Sequence, residues 1–242
     1  MATLLNLQPP APSEPQPPFA GLISRARPDA DSARGRARDA LVGPPVRAAS
    51  ALGDTNGLDG PLWLRLDLAP ESLVVPVEPA RIEVDCPLEH LADALALAAG
   101  DPVRLPGLLA IRVHPGAAGR GWAAESAERI VAAGAQPVLS AGLDADDVAD
   151  FLAVLAHSDT GFVAHAADGA EVVAILAATV AALRGDDIPA AYRAADPGPV
   201  AALSAAAAAA VREVLVGIAV PDADAVAEQL RARGIHADIG LA

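Results

Sequence analysis

From about residue 61 onward the chain repeats one pattern: a short run of Val, Ile and Leu, a turn, and then a longer alanine-rich run with helical spacing. Leu108–His114, 136–140 and 161–165 are three such short runs, with centres about 26 residues apart. That interval holds one strand, one helix and two short loops. The alanine-rich runs between and after them, 123–133, 145–156 and 169–183, read as helices, with Asp144 or Asp146 capping one and Asp168 the next. Regular strand–helix alternation demands parallel strands, because each helix carries the chain back before the next strand starts.

The same reading extends the pattern in both directions. Residues 62–68 alternate apolar and polar side chains as a strand does, 72–77 form a weaker extended run containing Pro76, and 81–85 form a strand whose following Pro87 opens a helix over 88–99. After Gly185 the rhythm falters: 186–199 is loop-like, 200–211 is a nearly pure alanine helix, and strand 214–220, helix 222–233 and strand 236–239 follow. Six to eight strand–helix units fit, which predicts an α/β fold of the small or incomplete (β/α)8 barrel type in preference to an open doubly wound parallel sheet. No glycine fingerprint follows the first strand, and polar residues recur at the carboxyl ends of several strands. The preceding chain divides into a Pro-rich arm over 1–20 and an irregular or short-helical lead-in over 21–60, so the α/β domain is read as 61–242. Six of the eleven residues from Gln8 to Pro18 are proline, which excludes helix and central strand there. Residues 29–41 suit a short helix, and 53–60 is a dense turn signal.

Composition narrows the chemistry. All 17 basic residues are arginine, so there is no lysine to form the pyridoxal phosphate Schiff base, to serve an amine-dependent aldolase or to bind phosphate in a P-loop. The formal charge of −14 and the isoelectric point near 4.6 repel a phosphate backbone, so nucleic acid is not an expected partner. Cys86 is the only cysteine, which excludes an internal disulfide and a cysteine-rich zinc site. No apolar run approaches the roughly 20 residues of a membrane helix, and the N-terminal residues lack the charged start and apolar stretch of a secretory signal. A cytoplasmic location is the expectation.

In a parallel α/β sheet, ligands bind at the carboxyl ends of the strands. The groups expected there are Arg65 and Asp67, Glu83 and Asp85, Arg112 and His114, Ser140, and His165. Glu83, Asp85, His114 and His165 are the candidate catalytic set, because carboxylates and imidazoles exchange protons near neutral pH or hold a divalent metal. The bland account has Arg65 neutralising Asp67 and Arg112 neutralising Glu83. No metal-binding motif such as HExxH is present, so no metal site is assigned. The segment HPGAAGRG, His114 to Gly121, lies between a strand and a helix. Gly116, Gly119, Arg120 and Gly121 are the candidate anion-binding residues there, since backbone N–H groups and a helix start attract negative charge. Cys86 with His90 one turn later is a weaker nucleophile candidate, read as the N-cap of a helix. His157 and His236 read as structural, and Trp63 and Trp122 as core fillers or stacking surfaces.

Two functions fit these residues. The first is an enzyme acting on a small anionic metabolite by acid–base chemistry, with lyase, isomerase and hydrolase all open. The second is a non-catalytic binding or assembly module whose Pro-rich residues 8–18 engage a protein partner in extended form.

Overall fold

The computed structural model describes residues 17–26, 39–52, 63–69, 72–73, 79–98 and 107–240. Eight strands form one sheet: β1 (Ile23–Arg25), β2 (Val46–Ala48), β3 (Trp63–Arg65), β4 (Arg81–Pro87), β5 (Leu108–His114), β6 (Gln136–Leu139), β7 (Phe162–His165) and β8 (Leu215–Val220). Every pairing is parallel. The spatial order β1-β8-β7-β6-β5-β4-β3-β2 follows the chain without a reversal, and the last strand pairs with the first. A doubly wound sheet reverses its strand order at a switch point, so this order belongs to the barrel. A single parallel bridge between Ile23 and Val42, just ahead of β2, brings the ring close to full closure.

Helices cover the β4–β8 side. They are α1 (Leu91–Ala98), α2 (Trp122–Ala132), α3 (Ala145–Leu155), α4 (Gly169–Arg184) and α8 (Ala223–Ala232), one after each of these strands. Three further helices, α5 (Ile188–Ala194), α6 (Gly198–Ala201) and α7 (Ala205–Val214), intervene between α4 and β8. Local sequence explains their starts: Asp144, Asp168, Asp187, Ser204 and Asp222 each accept backbone N–H bonds as N-caps of α3, α4, α5, α7 and α8.

Strand alternation divides the side chains into two layers. Ile111, Leu139, Phe162, Ala164 and Ile218 face the helices, whereas Ala110, Val138 and Val163 form a separate cluster inside the barrel. Small side chains fill one part of the interior and larger ones another. Gly217 on β8 leaves room for Trp63 of β3, whose ring carbon would lie 3.5 Å from a Cβ placed at that glycine. Arg81 stacks its guanidinium 4.0 Å from the centre of the same ring. Burial lowers the Arg81 guanidinium to about 10, and the charge of Glu83 opposes that fall.

Several elements differ from the sequence expectation. Two strands, β1 and β2, come from the segment read as a lead-in; at three residues each they are too short to display a period. Leu22 and Leu41 of that segment are core residues, and so is Phe19 of the stretch read as the arm. The alanine helix expected over 200–211 is divided: α6 ends, Ser204 caps a new start, and α7 runs on to Val214. Residues 237–240 form a turn in place of the expected strand over 236–239, although Ile235, Ala237 and Ile239 are buried alternately as in a strand. Their side chains join the large core cluster that faces the helices, and Ala237 O accepts from Phe19 N, just ahead of β1, at 2.9 Å. Residues 72 and 73 are not in a strand. The remainder of the run expected at 72–77, the helix expected within 29–41 for all but its last residues, and the arm up to residue 16 lie outside the described residues.

Candidate functional site

Arg81, Glu83 and Asp85 alternate along β4 and point inward, since Ile82, Val84 and Cys86, which alternate with them, pack beneath the helices. The register places Asp85 beside Arg112 and Glu83 beside Ala110 on β5. Because Ala110 is small, the Glu83 carboxylate extends into the barrel and is only 1% exposed. From β7, two strands from β5 and three from β4, His165 leans back toward Arg112 and Glu83. Its Nε2 is 2.7 Å from Glu83 Oε1, and its Nδ1 is 2.8 Å from Arg112 Nη1.

Arg112 joins these groups. Its Nε and Nη2 donate to the two oxygens of Asp85, each at 2.5 Å, and Nε also lies 3.9 Å from Glu83 Oε1. A guanidinium only donates, so Nδ1 of His165 accepts and the ring proton is assigned to Nε2, facing Glu83. The ring then has no lone pair left for a metal. Among the described residues there is also no cluster of three His, Cys, Asp or Glu side chains arranged to hold one.

His165 Nε2 approaches Glu83 Oε1 to 2.7 Å without hydrogen-bond alignment. Both Glu83 oxygens and His165 Nε2 are buried without an aligned partner. Burial pushes the Glu83 carboxyl up, but His165, Arg112 and Arg81 together outweigh it and hold the group below the ordinary carboxylate range. Burial raises Asp85 too, and is outweighed by the two bonds and the charge of Arg112. Arg112 itself is raised: Asp85 and Glu83 overcome the burial that would lower it.

These shifts set a pH dependence. A carboxyl held below its unfolded value adds stability that is complete above the ordinary pKa of roughly 4 and is lost as pH falls through the folded value. Urea unfolding at about pH 7 and about pH 3.5 should show the acid loss, and it should be shallower in the double variant Glu83→Gln/Asp85→Asn. A parent protein equally stable at both would contradict the assignment.

The exposed end of the cluster is His114. Its side chain is 52% exposed and its Nε2 lies 4.0 Å from Asp85 Oδ1, while Asp85 is 35% exposed. All four candidate acid–base residues therefore fall in one group, running from buried Glu83 to open His114. Sequence reasoning gave Arg112 too small a part: its bidentate partner is Asp85, and Glu83 is secondary. The signal was present in β4 and β5, whose carboxyl ends both carry charges two residues apart. Asp67 turns away to another task, accepting from Ser50 N and Ser50 Oγ.

The glycine loop stands apart. Arg120 is 94% exposed and lies 3.9 Å from Asp146 of α3, which also receives a bond from Arg193. Gly116 and Gly121 take left-handed backbone, and Gly121 begins α2 without a side-chain cap. Gly119 lies in open space, with nothing within 4 Å of an added Cβ. Cys86 belongs to β4 and not to a helix N-cap; its thiol is pushed up, first by burial and then by Asp85, and it packs in the core. His90 instead faces Asp93 at 3.3 Å. Trp122 packs against both large core clusters. No described helix is long and apolar enough to cross a membrane.

No family model, no curated protein and no solved structure matches this chain.

Proposed function

We propose that the barrel mouth over β4, β5 and β7 is an acid–base site for a small anionic metabolite. The observation that carries this reading is the graded cluster Glu83, His165, Arg112, Asp85 and His114. It is sealed at the carboxylate end and open at the imidazole end, on the strand ends where barrels of this type place their chemistry.

The roles follow from exposure. His114, with Asp85 beside it, exchanges the proton with substrate. Arg112 supplies the positive charge that an anionic substrate meets. Glu83 and His165 act as positioning residues, because His165 Nε2 and both Glu83 oxygens are closed to solvent. Proton abstraction or donation at a substrate carbon or oxygen suits an isomerase, a lyase or a hydrolase.

Incubating the protein with a panel of small phosphorylated and carboxylated metabolites, with proton NMR as the readout, tests the proposal. At least one should turn over, and His114→Asn should lower kcat by about 10²–10⁴-fold, the usual contribution of a general acid or base. Absence of turnover, or equal turnover by the variant, rejects it.

A second reading draws on the bidentate Arg112–Asp85 pair, which neutralises two charges at the mouth as a purely structural element would. On that reading the protein is a binding or assembly module, and the Pro-rich residues 8–18 hold a protein partner. Removing residues 1–16 would then abolish partner capture and His114→Asn would not. The deletion stops there because Phe19 is fully buried and Pro18 O accepts from Arg212.

A further inference from the structure

The guanidinium that an incoming anion would use is already occupied by a carboxylate of the chain itself. Asp85 takes the Nε–Nη2 edge of Arg112, the flat two-donor edge that matches a carboxylate or phosphate. The contacts around this pair are unequal. Arg112 is held from behind by His165 Nδ1 at 2.8 Å and stands over Glu83, which is 1% exposed and has no room to leave. Asp85 is 35% exposed, and on its open side His114 Nε2 waits at 4.0 Å, within ion-pair range and outside hydrogen-bond range. Arg112 also retains one N–H on each terminal nitrogen that has no partner among the described residues, because its three bonds there use Nε, one hydrogen of Nη1 and one of Nη2.

We infer that Asp85 is an internal stand-in for the oxyanion of a ligand. A carboxylate or phosphate entering the mouth replaces Asp85 on the Nε–Nη2 edge of Arg112, and the released Asp85 carboxylate turns to His114 Nε2. No covalent bond changes. The guanidinium exchanges one pair of charge-assisted hydrogen bonds for another, so the net gain comes from the new Asp85–His114 contact and from the two terminal N–H groups. This rests on the reading of the mouth as a site for anions that meet Arg112, and adds that binding itself displaces Asp85 and brings its carboxylate to the imidazole that moves the proton.

The exchange predicts an inverted mutational effect. Asp85→Asn keeps the shape, removes the competing charge and vacates the guanidinium edge, so it should bind inorganic phosphate and malonate more tightly than the parent by about 10-fold or more, read by titration calorimetry. Arg112→Gln should abolish binding of both. If that variant fails to fold, Arg112→Lys, which keeps the charge and loses the two-donor edge, should weaken binding at least as far as the parent's own competition does. In the parent, phosphate should shift the ring resonances of His114, and in Asp85→Asn it should not. Weaker or unchanged binding by Asp85→Asn overturns the proposal, as does full binding by either Arg112 variant or the absence of binding in both parent and Asp85→Asn. These readouts measure binding and not turnover. Loss of the acid–base reading through an inactive parent therefore leaves the exchange standing, and loss of the exchange leaves any measured turnover in place.

Discussion

Arg112→Met is expected to destabilise the protein by about 3–5 kcal/mol, the loss that follows when one member of a buried charge group is removed. Methionine reproduces the apolar stem, so the effect isolates the guanidinium. Most of it comes from Glu83, which is 1% exposed and whose oxygens have no aligned donor, so its carboxylate would be left in the barrel with only His165 and Arg81 beside it. His165 Nδ1 also loses its only donor among the described residues. Asp85 adds little, because at 35% exposure water replaces the lost partner. The companion variant Arg112→Met/Glu83→Leu should recover most of the loss, since an apolar pair of similar volume is commonly as stable as the buried ion pair it replaces. A double-mutant cycle by urea unfolding separates the two effects. A single variant within about 1 kcal/mol of the parent would mean that Glu83 is protonated, or is solvated by another route. Recovery in the double variant would show that stability alone does not require these charges at the mouth.

Much of this arrangement was legible in the chain. Parallel strands buried on both faces must be apolar along their length, which is why β5, β6 and β7 stand out as short runs spaced by one helix. Asp144 and Asp168 were readable as caps because the helix start needs a side-chain acceptor, and both supply one. The strand-end rule likewise brought Glu83, Asp85, His114 and His165 into one candidate group. What it lacked was register. Alternation assigns a residue to a face but does not say which residue of the next strand stands beside it. The pairing of Asp85 with Arg112, on which the site turns, is a property of the β4–β5 ladder. Arg120 shows the same gap in a loop: the direction of its side chain depends on the turn that ends at left-handed Gly121, and that turn carries it to Asp146. Residues 235–239 show the converse, alternating burial without a neighbouring strand to pair with.

Gly43→Val should cost about 2–4 kcal/mol, concentrated at the seam where the barrel closes. Along the ring every other neighbour is a ladder of paired strands, but among the described residues β1 meets the chain ahead of β2 only through residues 40–43. Ile23 N donates to Leu41 O at 3.0 Å, and Gly43 N donates to Ile23 O at 2.8 Å. A Cβ at Gly43 would stand 2.7 Å from Gly21 O, so any side chain forces the two backbones apart. The expected cost combines two weakened hydrogen bonds, about 1 kcal/mol each, with about 1–2 kcal/mol of overpacking. Amide exchange at Ile23 should accelerate more than exchange at Ile111 or Val138, which sit in the β4–β7 wall. The seam lies across the ring from β5 and β6, and Arg112, Asp85, Glu83 and His165 are all carried by β4, β5 and β7. Phosphate binding by the folded fraction of the variant should therefore stay within about 3-fold of the parent. A larger loss would mean that closure of the ring, and not the β4–β7 wall alone, holds the guanidinium in place.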